Sequence, residues 1–80
     1  MSFLKTQLKA AKEALSTKNY EYCKETCEAI LENDRKNYHA LVFLGLSQLN
    51  LEEYNESKIA FTKASTEQPD QVLAYQVIYL

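Results

Sequence analysis

The sequence predicts an all-α protein built as a stack of helical hairpins, and three observations carry that prediction. The chain repeats itself at a fixed offset. Tyr20 returns as Tyr54, Cys27 as Phe61, Ile30 as Ala64 and Ala11 as Gly45, then Ala40 as Ala74, Leu41 as Tyr75 and Leu44 as Ile78, each pair 34 residues apart. A period of that size marks stacked helical units rather than a closed globule. Only one glycine and one proline occur in 80 residues, which implies long helices joined by short connections. Between the breaks, apolar side chains recur at intervals of three and four, the spacing of one helical face.

The residues at this period resemble the tetratricopeptide repeat. On a first helix that motif places a large apolar residue, a leucine-like one and a small one, which Leu41, Leu44 and Gly45 supply. On the second helix it asks for an aromatic, a small residue, an aromatic, an alanine and a closing proline. Tyr54, Ser57, Phe61, Ala64 and Pro69 answer. Each has a physical role. Gly45 lets two helices approach closely, Phe61 fills the space between them, and Ala64 leaves room for a neighbour. Pro69 cannot continue a helix and sets the next break. Gln48 departs from the pattern, standing where the motif prefers an aromatic. The resemblance implies a right-handed hairpin stack forming a single domain over residues 1–80. Repeat 1 spans about 4–37, repeat 2 about 38–71, and a partial third repeat about 72–80.

Taken in order, Ser2 is placed to cap a helix from Phe3 to Ser16, with Leu4, Leu8, Ala11 and Leu15 on one face. Gln7 stands where the motif wants a large apolar residue, so this first helix is degenerate. Thr17-Lys18-Asn19 breaks the pattern, and Asn19 is suited to cap a second helix, Tyr20 to Glu32. Its inward stripe is Tyr20, Cys23, Cys27, Ile30 and Leu31, with Glu21, Lys24, Glu25 and Glu28 outside. Asn33 to Asn37 forms a turn, a third helix follows over Tyr38 to Asn50, and a fourth over Glu53 to Glu67. Asp70 is expected to cap a fifth helix that begins at Gln71 and belongs to a repeat entered but not completed.

Composition excludes several function classes. A net charge of −2 exerts no general pull on nucleic acid or on an anionic membrane, and no apolar run approaches the roughly 20 residues of a membrane span. No uninterrupted apolar core of the kind a secretory signal needs follows the charged start. Lys5, Lys9 and Lys12, which faintly resemble an organelle transit peptide, are expected to form the solvated face of the first helix because such peptides favour Arg over Lys. Cys23 and Cys27 lie one turn apart, compatible with two metal ligands. A structural zinc needs four, however, and the lone His39 starts another helix. Both cysteines also fall at interior positions of the repeat, so they read as buried reduced thiols. No glycine-rich phosphate loop and no nucleophile–base arrangement occurs. The chain therefore reads as a non-enzyme without cofactor or metal. A cysteine-based redox or metal protein and an RNA-contacting module using Lys5, Lys9 and Lys12 are the rival classes.

Two longer segments carry a closer likeness. Residues 36–45, from Lys36-Asn37-Tyr38-His39 through Val42-Phe43 to Gly45, and residues 67–76, containing Gln68-Pro69-Asp70-Gln71 and Tyr75-Gln76, resemble the amino-terminal repeats of superkiller (Ski) complex scaffold subunits. The likeness covers about residues 3–76 and includes positions the repeat motif does not specify, such as Asn37-Tyr38 and Asp70-Gln71. It implies a non-catalytic scaffold. In that family the scaffold joins a helicase and a propeller subunit in an assembly that feeds RNA to the exosome for 3′-to-5′ decay. A cytoplasmic location is implied, with the nucleus left open. The expected partners are proteins: helicase, propeller or exosome components.

By resemblance to other tetratricopeptide domains, the first helices of the hairpins line a partner groove. Leu8, Lys12, Leu15, His39, Val42, Leu46, Leu49 and Asn50 fall on it, continued by Leu73 and Gln76. The positions that clamp a terminal carboxylate in some relatives fall at Leu8, Lys12, Phe43, Leu73 and Val77, of which only Lys12 suits an anion. The groove thus fits an apolar segment or a packed helix. The alternative reading is a truncated or orphan adaptor unrelated to RNA decay. Val77 to Leu80 leave an apolar end that is expected to self-associate.

Overall fold

One set of backbone conformations returns after 34 residues in the computed structural model, which describes residues 2–68. Four α-helices follow one another: α1 (Ser2–Ser16), α2 (Tyr20–Asn33), α3 (Tyr38–Asn50) and α4 (Tyr54–Glu67). No strand occurs among the described residues. α1 packs on α2 and α3 on α4 as two hairpins, while α3 also packs on α2 and α1. This is the arrangement of tetratricopeptide-type hairpins.

The hairpin turns show why the period is structural. Both α1 and α3 end in a left-handed residue, Lys18 and Glu52, each at φ 64°. Around them the hydrogen bonds match. Asn19 N donates to Ala14 O at 2.7 Å and Glu53 N to Gln48 O at 2.8 Å, while Lys18 N reaches Leu15 O and Glu52 N reaches Leu49 O, both at 3.1 Å. Six-to-one bonds paired with five-to-two bonds form the Schellman closure, which satisfies the last carbonyls of a helix and usually uses glycine at the left-handed position. Here Lys and Glu occupy it, at a conformational cost of about 1 kcal/mol each.

Capping fixes the other ends. Asn19 Oδ1 accepts from Tyr22 N at 3.4 Å, as its position predicts, and Asn37 Oδ1 accepts from Ala40 N at 2.9 Å to start α3. α4 begins one residue later than expected. Glu53 is its N-cap residue but makes no side-chain cap, because its carboxylate is engaged by Lys24 Nζ at 2.8 and 2.9 Å. Ser2, expected as a cap, is already the first helical residue. Pro69, Asp70, the fifth helix and the partial repeat lie outside the described residues, as does the apolar end formed by Val77 to Leu80.

The core consists mostly of small side chains. Ala11, Ala14, Cys23, Cys27, Leu44 and Ala60 form one cluster, and Tyr38, Leu41, Val42 and Ala64 a second. α3 buries residues nearly all round its circumference, the pattern of a helix enclosed by neighbours. α4 presents the narrow stripe Ser57, Ala60 and Ala64, so the two helices come close. A Cβ added at Gly45 would sit 2.8 Å from Phe61 Cε1 and 2.9 Å from Cζ. Ser57 Oγ, fully buried, donates to Gly45 O at 2.8 Å across the same contact.

Two stability measurements follow. Gly45→Val drives a branched side chain into the Phe61 ring and should lower the free energy of unfolding in urea by about 2 to 3 kcal/mol; an unchanged midpoint would refute the close approach. Glu52→Gly and Lys18→Gly relieve the left-handed residues and should each raise stability by about 0.5 to 1 kcal/mol. A loss at both sites would show that the turns are not held in this conformation.

Candidate interaction surface

The residues expected to line a groove come from α1 and α3, which the fold sets side by side. The structure places them unevenly. Lys12, His39 and Asn50 are exposed, and Leu8, Leu15, Leu46 and Leu49 are half-buried. Val42 is a correction: only 1% of its surface is exposed, and it sits in the second core cluster with Tyr38, Leu41 and Ala64. The helical spacing that put Val42 beside Leu46 and Leu49 could not distinguish a groove wall from a helix buried on both sides. Leu73 and Gln76 lie outside the described residues.

The local chemistry of this surface is set by its neighbours. His39 lies edge-on to Tyr38, with ring centroids 5.6 Å apart, and tilted over Phe43 at 6.3 Å. It therefore belongs to an aromatic patch at the start of α3. Asn50 Nδ2 donates to Leu46 O at 2.8 Å, so one arm of its amide is already committed to its own helix. Leu15 and Leu46 each rest one side on the core clusters. The surface offered is thus an apolar strip of partly covered leucines, with the Lys12 ammonium as an exposed cation beside it. Such a strip suits an amphipathic helix or an extended apolar segment.

The two cysteines are buried, free thiols with no exposed surface. Cys23 Sγ lies 3.8 Å from Phe43 O. A hydrogen bond from Cys27 holds the Cys23 thiol down to about 7, helped by Ser47 and opposed by burial. The same pairing with Cys23, together with burial, pushes Cys27 well above the ordinary thiol range. The pair gives up one proton more readily than the second, but neither sulfur meets solvent. Among the described residues no group of three or more His, Cys, Asp or Glu side chains could hold a metal ion. No helix among them is long and apolar enough to cross a membrane.

One interaction escaped sequence reasoning. Lys24 on α2 pairs with Glu53 at the start of α4, and this partner holds the ammonium above its usual range. With both side chains partly solvated, the pair contributes at most about 1 kcal/mol. It ties the outer helix of the first hairpin to the turn of the second. Only opposite charge at residues 29 apart hinted at it, and that signal has no periodicity to find it by.

Comparison with known proteins places about nine-tenths of the chain beside one group. The chain is 37% identical over 73 residues to superkiller complex protein 3 of Homo sapiens and 38% identical over 73 residues to tetratricopeptide repeat protein 37 of Xenopus laevis. It is 43% identical over 75 residues to superkiller protein 3 of Schizosaccharomyces pombe. These alignments cover 91%, 91% and 94% of this chain and 5% of each relative's length. No protein-family model and no solved structure matches.

Burial of the thiols has a direct readout. At pH 8 an aromatic disulfide reagent should label Cys23 and Cys27 at least about 100-fold more slowly in the folded chain than in 6 M urea, since access requires opening of the core. Rapid labelling of either thiol in the native chain would instead place a reactive sulfur at the surface.

Proposed function

The chain is a tetratricopeptide-repeat protein homologous to one short segment of superkiller protein 3, and on that premise we propose that it is a non-catalytic interaction module. The observation that carries the reading is the identity itself, which extends over nine-tenths of this chain in relatives from yeast to human. The hairpin stack supports it physically. Packed helices present a broad, preformed side surface without needing a reaction centre.

In its finer form the proposal gives the module a place in an assembly like the one the relatives are named for. There it would hold a helicase, propeller or exosome component in support of 3′-to-5′ RNA decay in the cytoplasm; no observation supports a nuclear site. The chain spans 5% of the relatives' length. The α1–α3 strip of Leu8, Lys12, Leu15, His39, Leu46, Leu49 and Asn50 is the proposed contact. Its half-buried leucines also favour a second reading, an adaptor for an apolar peptide or helix outside RNA decay.

Recovery of partners from cell extract tests both. Wild-type chain should enrich helicase, propeller or exosome subunits by mass spectrometry. Lys12→Glu/Leu49→Glu, which alters the strip without touching the core clusters, should lose at least about 10-fold of that recovery. Val42 is left alone because a charge there would unfold the hairpin. Enrichment by wild type of a different protein, lost in the variant, would favour the adaptor reading. No enrichment by either chain would refute both.

A further inference from the structure

A groove of about 340 Å³ runs between α1 and α2 on the first hairpin, with no α3 or α4 residue in its walls. Ala10 and Ala29 line it, and Phe3 and Tyr22 stand beside them with 75% and 50% of their surfaces exposed. A second groove of about 340 Å³ shares Ala10 and Tyr22 and continues past Glu13, Thr17 and Asn19. The charged residues lining the two are Glu25 on α2 and Glu13 on α1; no lysine, arginine or histidine lines either. Glu25 also belongs to an exposed row, Glu21, Glu25, Glu28 and Glu32, which recurs at helical spacing along α2. None of these carboxylates, Glu13 included, forms an ion pair among the described residues.

The 34-residue period shows what kind of object this face receives. One period on, Thr6, Gln7, Ala10 and Thr26 become Ala40, Leu41, Leu44 and Ala60, all buried. There a helix covers the face: α3 packs on α2, and Leu31 of α2 rests on both clusters that hold Leu41, Leu44 and Ala60. The same surface of the first hairpin is thus shaped for a helix, but it carries hydroxyls and an amide where the covered copy has hydrocarbon. Burying those groups for good would cost stability, so the face suits an occupant that comes and goes. Charge says which. Exposed aromatic faces attract cations, and a guanidinium can stack on a ring while its N–H fork pairs with a carboxylate. Two rings, a carboxylate on each helix and no competing cation in the walls together fit arginine. We propose that this groove is a docking site for a basic helical segment of a partner protein, an arginine of which stacks on Tyr22 and pairs with Glu25. The site is separate from the strip proposed above. Neither Lys12 nor Leu49 lines it, so either proposal can fail without the other.

The probe is the acetylated and amidated peptide Ala-Arg-Ala-Ala-Leu-Arg-Ala-Ala-Arg-Ala-Ala-Leu, a helix former with its arginines on one face. Titrated into the isotope-labelled chain, it should give saturable amide NMR shifts at Thr6, Ala10, Tyr22 and Thr26, with a dissociation constant on the order of 100 μM. Lysine in place of arginine keeps the charge but loses the planar stack and should weaken binding at least about 3-fold. Tyr22→Ala removes the exposed ring and Glu25→Gln the carboxylate. Each should weaken binding at least about 5-fold in a chain whose spectrum stays folded. Glu56→Gln deletes the same charge from an exposed site on α4 and should leave the affinity within about 2-fold, which separates a built groove from general attraction to an acidic chain. Absence of saturable shifts, shifts centred outside the groove, or unchanged affinity in either folded groove variant would overturn the assignment. So would equal affinity for the lysine peptide, or an equal loss from Glu25→Gln and Glu56→Gln.

Discussion

The ring of Phe61 lies against bare backbone at Gly45, and most of the architecture depends on that contact. No Cβ fits between them, so α3 and α4 meet at a distance that only glycine on one side and small residues on the other allow. Ser57 sits in the same seam and ties its hydroxyl to the Gly45 carbonyl. Once that spacing is fixed, Ala60 and Ala64 can be buried under α3, and their burial leaves α3 free to turn its remaining faces toward α2 and α1. Ala11 on α1, the counterpart of Gly45 one period earlier, is likewise fully buried. The second close contact is therefore made by the next smallest side chain.

A core of small residues is efficient for stacking but intolerant of shape errors, because few flexible side chains are present to absorb them. Gln48 is the place where the pattern is broken. At the equivalent position of the first hairpin stands Ala14, 5% exposed and part of the main cluster. Gln48 is nearly as buried yet carries a polar group that the fold does not satisfy, and open space lies beside it. The polar departure in sequence and the packing defect in structure are one feature seen at two levels. The buried cysteines are the contrasting case. Their proximity alters how readily each would ionise, but full burial makes them packing groups first.

Helix placement was legible because two periods act together, about 3.6 residues within a helix and 34 between hairpins. α3 occupies the expected residues, α2 runs one residue further and α4 starts one later. Asn19 announced its cap by lying directly before an apolar stripe. Asn37 has the same chemistry but was submerged in a polar turn. The left-handed Lys18 and Glu52 were not foreseen, since neither is the glycine that such a backbone normally selects. The groove positions were legible as a helical face, yet exposure along that face was not. Val42 and Leu46 are four residues apart, and only one of them is covered.

What the sequence by itself determined is the all-helical hairpin stack and the small-residue seam at Gly45, which rest on residue type at fixed spacing, and the kinship with superkiller protein 3, which rests on identity along the segments themselves. Tertiary structure alone decided which apolar residues reach solvent, that Lys24 meets Glu53, and that the Gln48 amide oxygen is buried without a partner. Spacing along a chain reports which side chains share a helix face. Whether that face is covered depends on neighbours brought in from distant sequence, and their approach is set by the summed packing of several helices rather than by any local pattern.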